Sequence, residues 1–396
     1  MPLSPIEPGQ SHDKDAARNL GAPAPVEPRS FAPLEAAPLP FDPAIEAMEK
    51  DEAETTQGLI DTLLKIAETT YADEARALRG VHAKSHGIVR GRLEVPALPP
   101  MLAQGLFARP GTYEAVVRLS TSPGDVLDDN VSTPRGLALK IFGVEGERLP
   151  GAQDATTQDF VMVNGKAFLS PSAKHFLANL KLLAATTDRA EGLKKVLSAT
   201  LQGVERLIEK AGGESPAIKG LGGHPKTHPL GESYFTAAPI RFGDYVGKIG
   251  LKPVSPELTA LTDAPVDLDD RPDGLREAVR EHFRTQGGTW ELCVQLRTDA
   301  EAMPVEDSHV AWPEDASPYI PIARLVIAPQ DAWDAERTRG EDEALAFSPW
   351  HGLAAHQPLG SIMRVRKAVY EASQRFRLTR NGCPLHEPVN ADGLGR

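Results

Sequence analysis

Residues 113–121 read YEAVVRLST, and residues 87–96 before them read GIVRGRLEVP. Both set β-branched or large apolar side chains in rough alternation with polar ones, the pattern of a half-buried strand. Two more runs follow, GLALKIFGV at 136–144 and DFVMVNG at 159–165, and Gly, Pro and Asp separate one from the next. Strand character returns in GESYFTAAPIRFGDYVGKIGLKPV (231–254), TWELCVQLRT (289–298) and RLVIAPQD (324–331). Helical spacing marks three other places. From Glu46 to Leu78 the residues Ile60, Leu63, Leu64 and Ile66 form an apolar side, and over 172–212 lysines alternate with leucines and alanines, which predicts two helices. A last helix spans 361–378. Strands, helices and strands again predict an α+β chain on an antiparallel β-barrel flanked by helices.

At 396 residues the chain can bury a sizeable core, and large barrel folds of this length form one domain. Residues 1–44 are rich in Pro, Ala and Glu and poor in large apolar side chains, so an extended N-terminal arm is expected, followed by a single domain over 45–396. The formal net charge of -12, with no basic run, excludes nucleic acid and anionic membrane as main partners. Two cysteines, Cys293 and Cys383, are too few for a disulfide framework or a thiolate metal site and suit a reducing compartment. The first residues lack a basic then apolar leader, and no uncharged apolar run approaches the ~18 residues that span a bilayer. A soluble, cytoplasmic protein is expected.

The segment SIMRVRKAVYEASQRFRL (361–378) poses a chemical question. At about 100° per residue, Arg366, Tyr370 and Arg377 fall within roughly 40° of one another. Ile362, Val365, Val369 and Phe376 form an apolar stripe beside them. A phenol and two guanidiniums next to a buried face either build a polar network or hold an anion. Earlier in the chain, RGVHAKSHG (79–87) offers Arg79 and His82, and Arg118 and Ser120 share one face of their strand.

Taken together these segments resemble the haem catalases, in their shortened, catalase-related branch. The family's R-x-V-H-A-K segment matches Arg79, Val81, His82, Ala83 and Lys84, and its V-R-F-S-T strand matches Val117 to Thr121. D-P-R-G-F-A-V-K-F matches Thr133 to Ile141, and the R-x-x-x-Y helix matches Arg366 and Tyr370. The resemblance runs over about residues 75–380 and implies a catalase-like barrel binding haem b. Tyr370 would be the iron ligand as a phenolate. A phenol ordinarily ionises near pH ~10, so the iron and Arg366 would supply the compensating charge. Arg79, Arg118 and Arg377 would hold the two propionates. His82 would be the distal acid and base, Ser120 would orient it, Val81 would line the channel and Phe168 would stack on the porphyrin.

The chain also departs from the family. The asparagine of the family's G-N-N-T-P segment maps to Ala155 when its threonine is set on Thr157, with Asp154, Gln158 and Asn164 as polar alternatives nearby. Without that amide, peroxidase or organic-hydroperoxide chemistry is favoured over fast dismutation of hydrogen peroxide. Isomerisation of a lipid hydroperoxide shares the same first step, and a haem carrier or sensor is the non-catalytic alternative. The chain ends soon after the last helix, so no C-terminal flavodoxin-like domain is expected. The arm resembles segments that catalases thread between subunits, which implies a homo-oligomer. GGHPKTHP (222–229) and WHGLAAH (350–356) lack the spacing of a helical zinc pair, and Arg135 is expected to form a structural salt bridge at a turn over 134–136.

Overall fold

A computed structural model describes residues 36–184 and 224–382, together with residues 34, 388 and 390. Residues 1–33 of the expected arm, the second helix expected in the 172–212 stretch and Cys383 lie outside the described residues. The alternating runs form the wall. β1 (Ser85–Val95) pairs antiparallel with β2 (Gly111–Thr121), with Val89 opposite Val117 and Leu93 opposite Tyr113. β3 (Arg135–Ile141) and β4 (Gln158–Val163) continue the ladder, and Lys140 opposite Asp159 makes a fully buried ion pair at 2.9 Å. Arg135 begins β3 rather than sitting in a turn, and it does form a salt bridge, to Glu232 at 3.0 Å.

The segment 231–254 divides into β5 (Tyr234–Phe235), β6 (Ile240–Phe242) and β7 (Tyr245–Pro253). β8 (Gly288–Leu296) and β9 (Ile320–Ile327) complete the set. The strand order is β5-β4-β3-β2-β1-β9-β8-β7-β6, and a further β5–β7 pairing closes an eight-strand antiparallel barrel with β6 as a hairpin partner of β7. Closure removes the exposed edges of the sheet. Alternate residues fill the inside: Leu93, Leu139, Leu292 and Leu325 are essentially inaccessible and belong to one cluster. Each such side chain contributes roughly 1.5–3 kcal/mol.

The other residues of the same strands point outward, and helices cover them. Expected over 46–78, the first helix, α1, runs from Glu52 to Glu74 and ends on Ala75 in the left-handed region. α2 (Ala173–Ala184) and α5 (Ser361–Asn381) pack on it. Their apolar faces meet through Leu59, Leu63, Ile66, Leu180, Ile362 and Val365. The sequence reading did not anticipate α3 (Gly274–Thr285), α4 (Arg337–Ala344) or the single helical turn Pro256–Thr259. Gly360 precedes α5 with φ 84°, and a Cβ there would lie 2.5 Å from Val305 O, so the turn into the helix requires glycine. Among the described residues no helix is long and apolar enough to cross a membrane.

Candidate active site

A cavity of about 1050 Å³ lies between the outer face of β2–β4 and helices α1, α2 and α5. It exceeds the ~300–1,000 Å³ usual for small-molecule sites. All nine residues singled out in the sequence line it: Arg79, Val81 and His82 from the loop before β1, Arg118 and Ser120 from β2, Phe168 after β4, and Arg366, Tyr370 and Arg377 from α5. The strand residues share an outward face because Val117 and Leu119 between and beside them are spent on the barrel interior. The helix residues share theirs by the 3.6-residue repeat.

His82 is held on every side. Its backbone has φ 54°, its N–H donates to Ser122 O at 2.8 Å, and its carbonyl accepts from Arg118 Nη2 at 3.0 Å. Its Nδ1 lies 3.1 Å from Ser120 Oγ, and Gly136 leaves the space for the ring: a Cβ there would come within 2.4 Å of His82 Cε1. Burial, then the positive field of Arg118, Arg366 and Arg79, pushes the imidazole down to about 3, so it is neutral across the physiological range. With Nδ1 committed to Ser120, Nε2 is the nitrogen available to the cavity.

At one end of the cavity the three arginines converge. Arg79 and Arg118 both meet the carboxylate of Asp342, at 2.8 and 2.6 Å, and Arg377 donates to the carbonyl of Glu343 at 3.1 Å. Arg377 is buried, yet its Nε has no hydrogen-bond partner among the described residues. Burial, partly offset by Asp342, brings the Arg377 guanidinium down to about 10. Arg366, one turn before Tyr370, meets only Met363 Sδ at 3.4 Å and the Phe168 ring at 5.2 Å, with no carboxylate partner among the described residues. Phe168 itself is buried and packs edge-on against Phe176.

The polar alternatives for the missing asparagine are accounted for. Asp154, Ala155 and Gln158 do not line the cavity, and Gln158 is buried with its amide bonded to Leu353 N and Asp159 O. Asn164 does line it, but Arg135 N donates to its Oδ1 at 2.9 Å and its Nδ2 faces Glu232 and His224, both at 2.5 Å. Sequence reasoning missed Asp342, Gly136 and His224 as neighbours of the site. His224 belongs to a motif that drew attention, whereas no local pattern marks Asp342.

No family model matches the chain. A segment of 108 residues is 33% identical to catalase isozyme 2 of Ricinus communis, covering 26% of this chain and 20% of that protein. Solved structures of a fungal catalase and of catalase A from Saccharomyces cerevisiae superpose with TM-scores of 0.55 and 0.53 at 18% and 17% identity. Each comparison covers 83% of this chain, and 64% and 66% of the catalase chains. The chain therefore spans less than two thirds of the length of these relatives. Its fold is the catalase fold: a closed antiparallel barrel with helices over one face.

Proposed function

We propose that this chain is a haem b enzyme that breaks down peroxides, with peroxidase or organic-hydroperoxide turnover favoured over fast dismutation. The observation that carries the reading is that His82 and Tyr370 open onto one large cavity whose end bears three arginines. The residues present suit the group. Among the described residues the Nε of buried Arg377 has no acceptor, a place that a propionate would fill, and Arg79 and Arg118 stand beside it. Tyr370 would hold the iron through its phenol oxygen, and Arg366, which has no carboxylate partner among the described residues, would favour the anion. Phe168 and Val81 would pack against the ring system.

Bound haem supplies the metal at which a peroxide O–O bond is cleaved. This chain's part is proton transfer. Neutral His82 takes the proton from one peroxide oxygen at Nε2 and returns it to the leaving oxygen, and Ser120 fixes the ring through Nδ1. A carrier or sensor has no need of a base cradled in this way. Neither Gln158 nor Asn164 has an amide to spare for the peroxide, and this supports the slower, less polar chemistry over rapid dismutation.

Absorbance spectroscopy of the purified chain with added haem tests the cofactor, and a high-spin ferric Soret spectrum is expected. Tyr370→Phe weakens haem retention, while His82→Ala keeps haem but lowers peroxide cleavage by roughly 10²–10⁴. Oxygen release from hydrogen peroxide, dye oxidation and consumption of an organic hydroperoxide then rank the activities. Absence of a Soret band after reconstitution, or normal turnover by His82→Ala, would overturn the reading.

A further inference from the structure

Asp342 backs the arginine end of the cavity without lining it, whereas Arg79, Arg118 and Arg377 all face in. Its Oδ1 accepts from Arg79 Nη1 and Arg118 Nε, and Arg118 Nη2 reaches Oδ2 at 3.3 Å. The end of α4 completes the mount: Arg79 Nη2 donates to the carbonyls of Asp342 and Leu345, at 2.9 and 2.8 Å, and Arg377 Nη1 to that of Glu343. A helix C-terminus carries unsatisfied carbonyls and partial negative charge, which makes it a natural backing for guanidiniums.

The charges do not cancel. The neighbouring carboxylate of Glu343 is engaged by Arg76, so among the described residues one carboxylate faces three guanidiniums, which leaves two positive charges in a largely buried place. Arginine does not shed its proton in proteins, and the Nε of Arg377 has no acceptor among the described residues. The excess is therefore left for a ligand to meet. Burial works to raise the Asp342 carboxyl, but Arg118 and Arg79 more than offset it and hold the group well below the usual carboxylate range.

We propose that Asp342 is a positioning residue that holds Arg79 and Arg118 in one geometry and sets the cluster at two positive charges, so that this end of the cavity selects a ligand carrying two carboxylates. The inference rests on the haem reading and adds to it a residue that touches neither metal nor substrate.

The test is spectroscopic titration of the full-length, haem-stripped chain with a series of porphyrins: the dicarboxylate, its monoester, its diester and a tetracarboxylate. For the wild type, affinity falls by about tenfold with each esterified carboxylate, and the tetracarboxylate binds no more tightly than the dicarboxylate. In Asp342→Asn the positive excess rises from two to three, so the tetracarboxylate gains relative to the diacid, whereas Asp342→Glu keeps the wild-type order. A merely structural role would lower every affinity alike and leave these ratios unmoved. Equal ratios in wild type and Asp342→Asn, or tighter wild-type binding of the tetracarboxylate, overturn the inference. Should the Asn variant fail to fold, the wild-type series decides. If the wild type takes up none of the porphyrins, the haem reading itself falls, and this inference with it.

Discussion

His82 occupies the left-handed backbone region, which costs a non-glycine residue about 1–3 kcal/mol, and two hydrogen bonds through its own backbone keep it there. The gain is aim: the ring is set against Ser120 and into the hollow left by Gly136. That hollow gives a sharp prediction. A Cβ on Gly136 would lie 2.4 Å from Cε1 and 2.5 Å from Nδ1 of His82, so Gly136→Ala must push the imidazole off its place. Turnover is expected to fall by about 10–100-fold, while the haem spectrum stays that of the wild type. Unchanged turnover would mean that the ring does not work from this position.

Among the elements, α5 matters most because it carries three of the site residues, and its first turn is anchored by carboxylates. Glu46 accepts from the N–H of Gly360, and Glu306 from that of Ser361, at 2.9 and 2.8 Å. Negative groups at this end suit the exposed amides and the helix dipole. Arg364 then gathers Glu46, Glu306 and Glu52 of α1, the last by a two-pronged contact. The pairs are partly exposed, which tempers their value, but removing the arginine leaves three carboxylates facing one another. Arg364→Ala is expected to cost about 1–3 kcal/mol in urea unfolding of the haem-free chain and to loosen haem retention through α5. A loss near zero would show that apolar packing alone sets the helix.

For the molecule as a whole, the buried histidines set the response to acid. Burial, with Arg118 as the next cause, brings His82 to about 3, and burial likewise brings His228 and His356 each to about 4 and His86 well below its ordinary value of 6.5. The unfolded chain therefore takes up these protons first as the pH falls. Their contribution to stability is complete above about 6.5 and is lost progressively toward the folded values, at up to roughly 1.4 kcal/mol per pH unit for each proton. Glu232 and Asp129, raised mainly by burial, act in the opposite direction and are outnumbered. Urea midpoints of the haem-free chain should fall between pH 6.5 and 4, and His356→Gln, if folded, should flatten the slope. A midpoint that rises on acidification would contradict this balance.

What the sequence alone determined is what repeats locally. Alternation at two residues declared the strands and put Arg118 and Ser120 on one face, and the 3.6-residue period grouped Arg366, Tyr370 and Arg377. Tertiary structure alone decided whatever depends on distant pieces of chain meeting. Closure through β5 and β7, the capture of Asn164 by Glu232 and His224, and the hollow at Gly136 are of this kind. Asp342 is the clearest case, since it stands 263 residues from Arg79 and 224 from Arg118. Periodicity reports which side of its own element a residue faces. Which carboxylate will lie behind which arginine is settled only when the barrel closes and the helices pack down on it.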